Sequence, residues 1–503
     1  MSLRRAGLAR AHDRGRLATM SGSGALRPIL LAAVSLGSAC HLAPPERDLL
    51  PVGAHVLAFA QRQVDAHELP GLWFALLDRD PTTGRELTLL RALGPHGEPV
   101  PDVRAVHRVA SIGKLVTASV VMALVEQGRL DLDAPVGRYL PEFAPHNPFA
   151  TAPTVRHLLG HRSGLCRESP VGHYFDASEP GLAATVASLN DTELAFEPGT
   201  QAKYSNPGYA VLGVVVERVT GEPFEAAARR LLLDPLGLAD TEFEPRPDLL
   251  LRQAEGRMWT YDGRDVPTPR CRLGAVPAVE LRSTVADLVT LAGSWFDQRE
   301  RSPLAAASLE RMWQPTADSC LGLGFFVDTF DGRRRVGHDG AVHGFASVLR
   351  ALPDDGLAVA VVCTRDFATP IAEAVAEQAL SALLLARRGD RPSLPPSPLP
   401  VGAAAARAFA GHYVVGNDWV DMYERDGELF FDPNVGVRTR LRVAQDGALV
   451  ADDVLALGER RLVMQDDGRL HDGVAAYVRD DRVPAPAPAA LLPLLGEYGP
   501  DHG

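Results

Sequence analysis

A helix that is apolar on every side has one place in a soluble protein, the centre. Residues 106–128, VHRVASIGKLVTASVVMALVEQG, read as such a helix from Ser111 onward. Ile112, Leu115, Val116, Val120, Met122, Ala123 and Val125 cover all of its faces, and Gly128 is placed to end it. Inside it sits Lys114. The chain has 51 Lys plus Arg, yet only Lys114 and Lys203 are lysines. Arginine does not deprotonate, whereas burial drives a lysine from ~10.4 towards neutrality. A buried position that takes one of two lysines is therefore one that needs a cation able to become an amine. A lysine snorkelling out from near a helix end is the alternative.

The elements around this helix come from both ends of a long segment. GLWFALLDRD and ELTLLRALG, joined by PTTG, predict a hairpin after a helix over 52–67. LGLGFFVDTF, ASVLRALP and LAVAVVCT predict further strands, and 371–388 an amphipathic helix. Residues 111–316 are helical pattern and loop. One antiparallel sheet built from both ends around a helical insertion fits this order, so the expected class is α/β (α+β). A proline-rich linker, 389–402, follows this 52–388 unit. Beyond it, over 403–482, Asp-Gly recurs at 426–427, 446–447, 467–468 and 472–473 between short alternating runs, the pattern of tight hairpins in a small all-β barrel or sandwich. Residues 483–503 combine the spacer VPAPAPAALLP with LLGEYGPDHG, which echoes FAGHYVVGNDW at the start of the β segment. A truncated second copy and a plain tail are both open there.

The first 40 residues read as an export signal: a run of arginines, then PILLAAVSLGSAC. Cys40 is a candidate lipidation site, which would anchor the chain to a membrane through a 41–51 tether. Gly37 is an unusual residue for that signal, Met20 is an alternative start, and an ordinary signal peptide is the alternative reading. Export implies a periplasmic or membrane-anchored protein. Cys166, Cys271, Cys320 and Cys363 lack metal-ligand spacing, and one or two disulfides or four separate thiols are open. The net charge of −12 disfavours a nucleic-acid partner. The oligomeric state is left open.

Three constellations carry chemistry. Ser111 and Lys114 lie at i and i+3 on the first turn, where helix N–H groups favour negative charge on the serine oxygen. Tyr204-Ser205-Asn206 sits between turn formers and a following helix; its phenol can share a proton with Lys114, and its amide can meet Lys114 or a substrate carbonyl. His338-Asp339-Gly340 precedes a strand; there Gly340 permits close backbone approach, and Ala341 N–H can join Ser111 N–H in holding an oxyanion. HLLGH at 157–161 spaces two histidines as in zinc proteases but lacks their glutamate, so no metal or other cofactor is expected.

Ser-x-x-Lys, Tyr-x-Asn and His-x-Gly in this order, with HRVASIGKL, LDLDAPVGRYLPEF, TVRHLLGHRSGL, FEPGTQAKYSN and LRSTVADLV around them, resemble the serine β-lactamase-related family. That family includes class C β-lactamases, D-alanyl-D-alanine carboxypeptidases, D-aminopeptidases and esterases. The resemblance covers about 52–388, and the β segment resembles the lipocalin-like domain that some members carry. It implies a β-lactamase/transpeptidase-like fold, Ser111 as the acylated nucleophile, Lys114 and Tyr204 as the acid–base pair, and Asn206 and His338 as substrate contacts. Class C enzymes have lysine at the position of His338. The partly charged histidine holds a carboxylate less firmly. An esterase or peptidase acting on a small-molecule or peptide substrate is thus expected over an efficient β-lactamase. The alternative is a non-catalytic envelope protein that binds cell-wall fragments.

Overall fold

A computed structural model describes residues 48–481, apart from 97, 260–264, 270, 297–301, 317–318, 433–438 and 452–460, together with 488. The readings made for Cys40, for the first 47 residues and for LLGEYGPDHG lie outside the described residues. The first helix, α1 (Leu50–Ala66), begins two residues before the expected start and takes in the end of the tether. Pro51 lies in its first turn, where its missing N–H would have no partner anyway.

The hairpin follows as β1 (Leu72–Arg79) and β2 (Glu86–Leu93). Next come β3 (His107–Ala110), α2 (Gly113–Glu126), α3 (Asn206–Thr220) and β4 (Leu281–Ser283). The rest of this part is β5 (Phe326–Phe330), β6 (Arg333–Val342), β7 (Phe345–Leu352), β8 (Leu357–Cys363) and α4 (Thr369–Arg388). Six of the strands form one antiparallel sheet in the order β2-β1-β8-β7-β6-β5.

Strand alternation sorts the side chains into two cores. Phe74, Leu76, Val359 and Val361 face α1 and α4. Trp73, Ala75, Ala358 and Ala360 face the opposite way, towards the larger core built around α2. Covered on both faces, β8 and β1 as far as Leu77 are apolar without interruption. In α2 every residue from Gly113 to Leu124 is buried, Lys114 included. Each of its fully buried leucines and valines contributes roughly 1.5–3 kcal/mol by leaving water.

A two-stranded ladder of β3 and β4 lies beneath the start of α2. Both strands are too short to stand out in the sequence. A register shift falls between Arg108 and Ala110, and Ala110 adopts a left-handed φ of 47°. That conformation is unfavourable for alanine and turns the chain abruptly into Ser111. The ladder is held from below by a buried ion cluster: Glu280 accepts from Arg108 at 2.6 Å, and Arg282 lies 3.4 Å from its other oxygen.

The C-terminal part begins with the short helix α5 (Ala403–Phe409). Eight strands follow: β9 (Gly411–Val415), β10 (Asp418–Arg425), β11 (Glu428–Asp432), β12 (Thr439–Val443), β13 (Leu449–Ala451), β14 (Arg461–Met464), β15 (Leu470–His471) and β16 (Ala476–Arg479). Each pairs antiparallel with the next, and β16 returns to β9, which closes a barrel rather than a sandwich. Tyr413, Met422, Phe431, Leu441 and Leu462, with Ala406 of α5, fill the interior. Eight strands leave room for little more than side chains. At the Asp426-Gly427 turn both residues have positive φ, 53° and 85°, as a tight hairpin requires.

Candidate active site

β3 leads directly into Ser111, which is 8% exposed. One turn on, Lys114 is fully buried, with Nζ 2.9 Å from Ser111 Oγ, 2.8 Å from Asn206 Oδ1 and 3.0 Å from the Ala278 carbonyl. Burial pushes Lys114 well below the ordinary lysine range, opposed by Glu168 and Asp339 and aided by Arg167. Burial thus disfavours the charged form, and it is the neutral amine that could take a proton. A neutral amine has two N–H bonds and one lone pair. The Ala278 and Asn206 oxygens can only accept, so they take the two N–H bonds. Ser111 O–H then donates to the lone pair.

Asn206 owes its place to a cap. Ser205 Oγ accepts from Gly208 N at 3.1 Å and donates to the Cys166 carbonyl at 2.7 Å, and Pro207 follows in the first turn of α3. Both ends of the Asn206 amide meet protein: Oδ1 faces Lys114, and Nδ2 donates to Glu168 at 2.8 Å. The residue is 1% exposed, which directs it to these neighbours rather than into the open cleft.

Tyr204 stacks on His161 at 4.2 Å, and its ring centroid lies 4.8 Å from Lys114 Nζ. Its hydroxyl lies 3.4 Å from His338 Nε2. Burial pushes this phenol well above its ordinary range, so it stays protonated.

His338 sits on β6 between Tyr204 and the Phe326 ring. Its Nδ1 contacts the Asp339 carbonyl, which can only accept, so Nδ1 carries the proton and Nε2 is free to accept from Tyr204. Burial, with Lys114 nearby, pushes His338 down to about 4 against the pull of Asp339. The expected partial charge is therefore absent at neutral pH, because the ring lies inside the protein rather than at its surface. Asp339, next on the strand, points the other way, towards Arg350 at 3.7 Å.

β6 is not the sheet edge, since β5 lies outside it. However, β5 pairs only as far as Gly337, and residues 338–342 overhang it as a local edge beside Ser111. A Cβ on Gly340 would lie 2.2 Å from the Val109 carbonyl and 3.1 Å from Ser111 N, so only glycine lets β6 approach this closely. Ala341, next to it, is exposed. The structure thus brings Ser111, Lys114, Tyr204, Asn206, His338 and Gly340 into one cluster of contacts, with Ala341 next along β6.

Three contributors escaped the sequence reading: Glu168, Ala278 and His161. The last belongs to HLLGH, but the two histidines part company. His157 closes a capping box with Thr154, whereas His161 Nδ1 accepts from Ser205 N at 3.1 Å. Burial and the nearby Lys114 hold His161 neutral, well below its ordinary value. The four cysteines are free thiols. A separate groove of about 750 Å³ at the far end of α3, lined by Leu140, Phe143 and Val214 among others, holds none of these residues.

A family model described as Beta-lactamase matches residues 58–384. Penicillin-binding protein 4 of Amycolatopsis lactamdurans is 30% identical over 327 residues, 61% of this chain and 84% of that protein. Esterase EstB of Burkholderia gladioli is 40% identical over 149 residues, 27% of this chain and 38% of the esterase. Among solved structures, the octameric penicillin-binding protein homologue from Pyrococcus abyssi shares the fold with a TM-score of 0.61 at 22% identity, covering 85% of this chain and 99% of that one.

Proposed function

Because the chain belongs to the beta-lactamase family, a family of serine hydrolases, we propose that it hydrolyses an ester, amide or D-amino-acid peptide through an acyl-enzyme on Ser111. The observation that carries this reading is the buried Lys114 amine, 2.9 Å from Ser111 Oγ, with Asn206 Oδ1 and the Ala278 carbonyl as its other partners. Ser111 Oγ attacks the substrate carbonyl while its proton passes to Lys114. Ser111 N–H and Ala341 N–H hold the oxyanion. Tyr204, still protonated and with its ring beside Lys114, gives its proton to the departing alcohol or amine and regains one from Lys114. Water then attacks the acyl ester, losing its proton to Lys114 as Ser111 Oγ is released and reprotonated.

The neutral His338 favours substrates without a carboxylate at that wall of the cleft. This supports esters and uncharged amides over efficient β-lactam turnover, and the stretch shared with an esterase points the same way. The test is fluorophosphonate labelling with peptide mapping, then a panel of nitrophenyl esters, nitrocefin and D-Ala-D-Ala peptides. Label on Ser111, lost in Ser111→Ala, is expected; a folded protein left unlabelled there would sink the reading.

The arginine-rich start and the apolar run ending at Cys40 support export with lipid on Cys40. Fatty-acid labelling that is unchanged in Cys40→Ser would refute the lipid.

A further inference from the structure

Among the described residues Glu168 is the carboxylate in direct contact with the Lys114–Asn206 pair, and the reaction above gives it no task. It accepts from Asn206 Nδ2 at 2.8 Å, and its side chain is 31% exposed. The other end of the same amide accepts from Lys114 Nζ, also at 2.8 Å. A primary amide is a one-way bridge, because one end only donates and the other only accepts. A carboxylate only accepts. Glu168 can therefore face only the Nδ2 end, which forces Oδ1 towards Lys114. Ala278 claims the second N–H of the amine. What remains for Ser111 is the lone pair.

We propose that Glu168 is a positioning residue: through Asn206 it fixes the hydrogen-bond direction that turns the Lys114 lone pair onto Ser111. This rests on the function proposed above. Without an acceptor at 168 the buried amide is free to turn over. Nδ2 would then donate into the lone pair, and Lys114 would meet Ser111 as a donor, unable to take its proton. Tyr174, close to Glu168, donates its hydroxyl to the Ala341 carbonyl at 3.5 Å.

The groups facing Glu168 are Arg167 at 3.8 Å, Lys114, His173 and Tyr174. Burial raises its carboxyl above the ordinary range despite the cations and the Asn206 bond. Protonation gives it an O–H donor, so its acceptor-only character holds above its pKa and is lost as pH falls through it. In Glu168→Gln that titration is gone, and Lys114 also loses a negative neighbour that raises its pKa. Both effects move the acid limb of activity to lower pH. The glutamine keeps an acceptor at every pH and holds the direction when its carbonyl, rather than its own amide N–H2, faces Asn206 Nδ2.

The experiment compares full-length wild type, Glu168→Gln and Glu168→Leu on a nitrophenyl ester, reading kcat and KM across pH, with thermal melts and Ser111 labelling alongside. Glu168→Gln is expected within about threefold of wild-type kcat with its acid limb shifted down, and Glu168→Leu at least about tenfold lower in kcat with KM little changed. Wild-type behaviour in Glu168→Leu, or an equal loss in both variants, would overturn the proposal. If Glu168→Leu does not fold, Glu168→Gln decides alone, and an unmoved acid limb overturns it. Wild-type protein that does not label at Ser111 would instead overturn the active-site reading, and this proposal with it.

Discussion

Replacing Lys114 by methionine separates what the amine does for the fold from what it does for the reaction. Methionine is unbranched and of similar length, so it fills the fully buried slot without crowding. Two acceptors lose their donor, Asn206 Oδ1 at 2.8 Å and the Ala278 carbonyl at 3.0 Å. Each costs about 1–3 kcal/mol when left unsatisfied. Against that, the folded state no longer holds an amine out of water, which offsets part of the loss. The net destabilisation should be about 1–3 kcal/mol, a fall of several degrees in melting temperature for a domain of this size. Catalysis should suffer far more. Loss of a positioned base costs about 10²–10⁴ in rate, equal to about 3–5 kcal/mol of barrier. The assay pairs thermal unfolding by circular dichroism with the rate of fluorophosphonate labelling at Ser111. A folded Lys114→Met protein that labels at the wild-type rate would refute the assignment of the base. Lys114→Arg stays charged and should be inactive at every pH.

Other consequences are checked as directly. Lys114 must be neutral to act, so kcat/KM should fall as pH drops through its lowered pKa and stay high well below the ordinary lysine range, as a pH–rate profile would show. Gly340→Ala drives a Cβ into the Val109 backbone; an activity loss with about 1–3 kcal/mol of destabilisation is expected by denaturant titration. His107 is fully buried edge-on to Trp73, and burial pushes it down to about 3 against the Ser283 backbone. Between about 6.5 and 3 the unfolded chain binds the proton and the folded one does not, so acid should remove up to roughly 4–5 kcal/mol of stability. In His107→Phe that part of the acid sensitivity should vanish from melts recorded over the same range.

What could be read beforehand follows from how each residue acts. Lys114 stood out because its chemistry depends on residue type, in a chain that otherwise uses arginine. Tyr204 and Asn206 stood out because turn formers and a helix start fix their presentation locally. The barrel hairpins announced themselves through Asp-Gly. Ala278 could not be found, because it contributes a backbone carbonyl that any residue has. Glu168 has meaning only through Asn206, 38 positions away. The position of His338 was legible, but its charge was not, since burial is decided by Phe326 and Tyr204 closing over it. β3 and β4, four and three residues long, were too brief for any periodicity.

The pairing of β1 with β8 also governs how the molecule is made. Leu72 lies opposite Cys363, a separation of 363 − 72 = 291 positions. At about 5–20 residues per second, translation leaves the first hairpin waiting roughly 15–60 s for the partner that covers its open side. Such distant closure makes for slow folding, because the entropy of a long loop must be overcome before any contact compensates it. Until β8 emerges, the apolar run of β1 from Leu72 to Leu77 has one open edge, the kind of half-paired strand on which nascent chains aggregate.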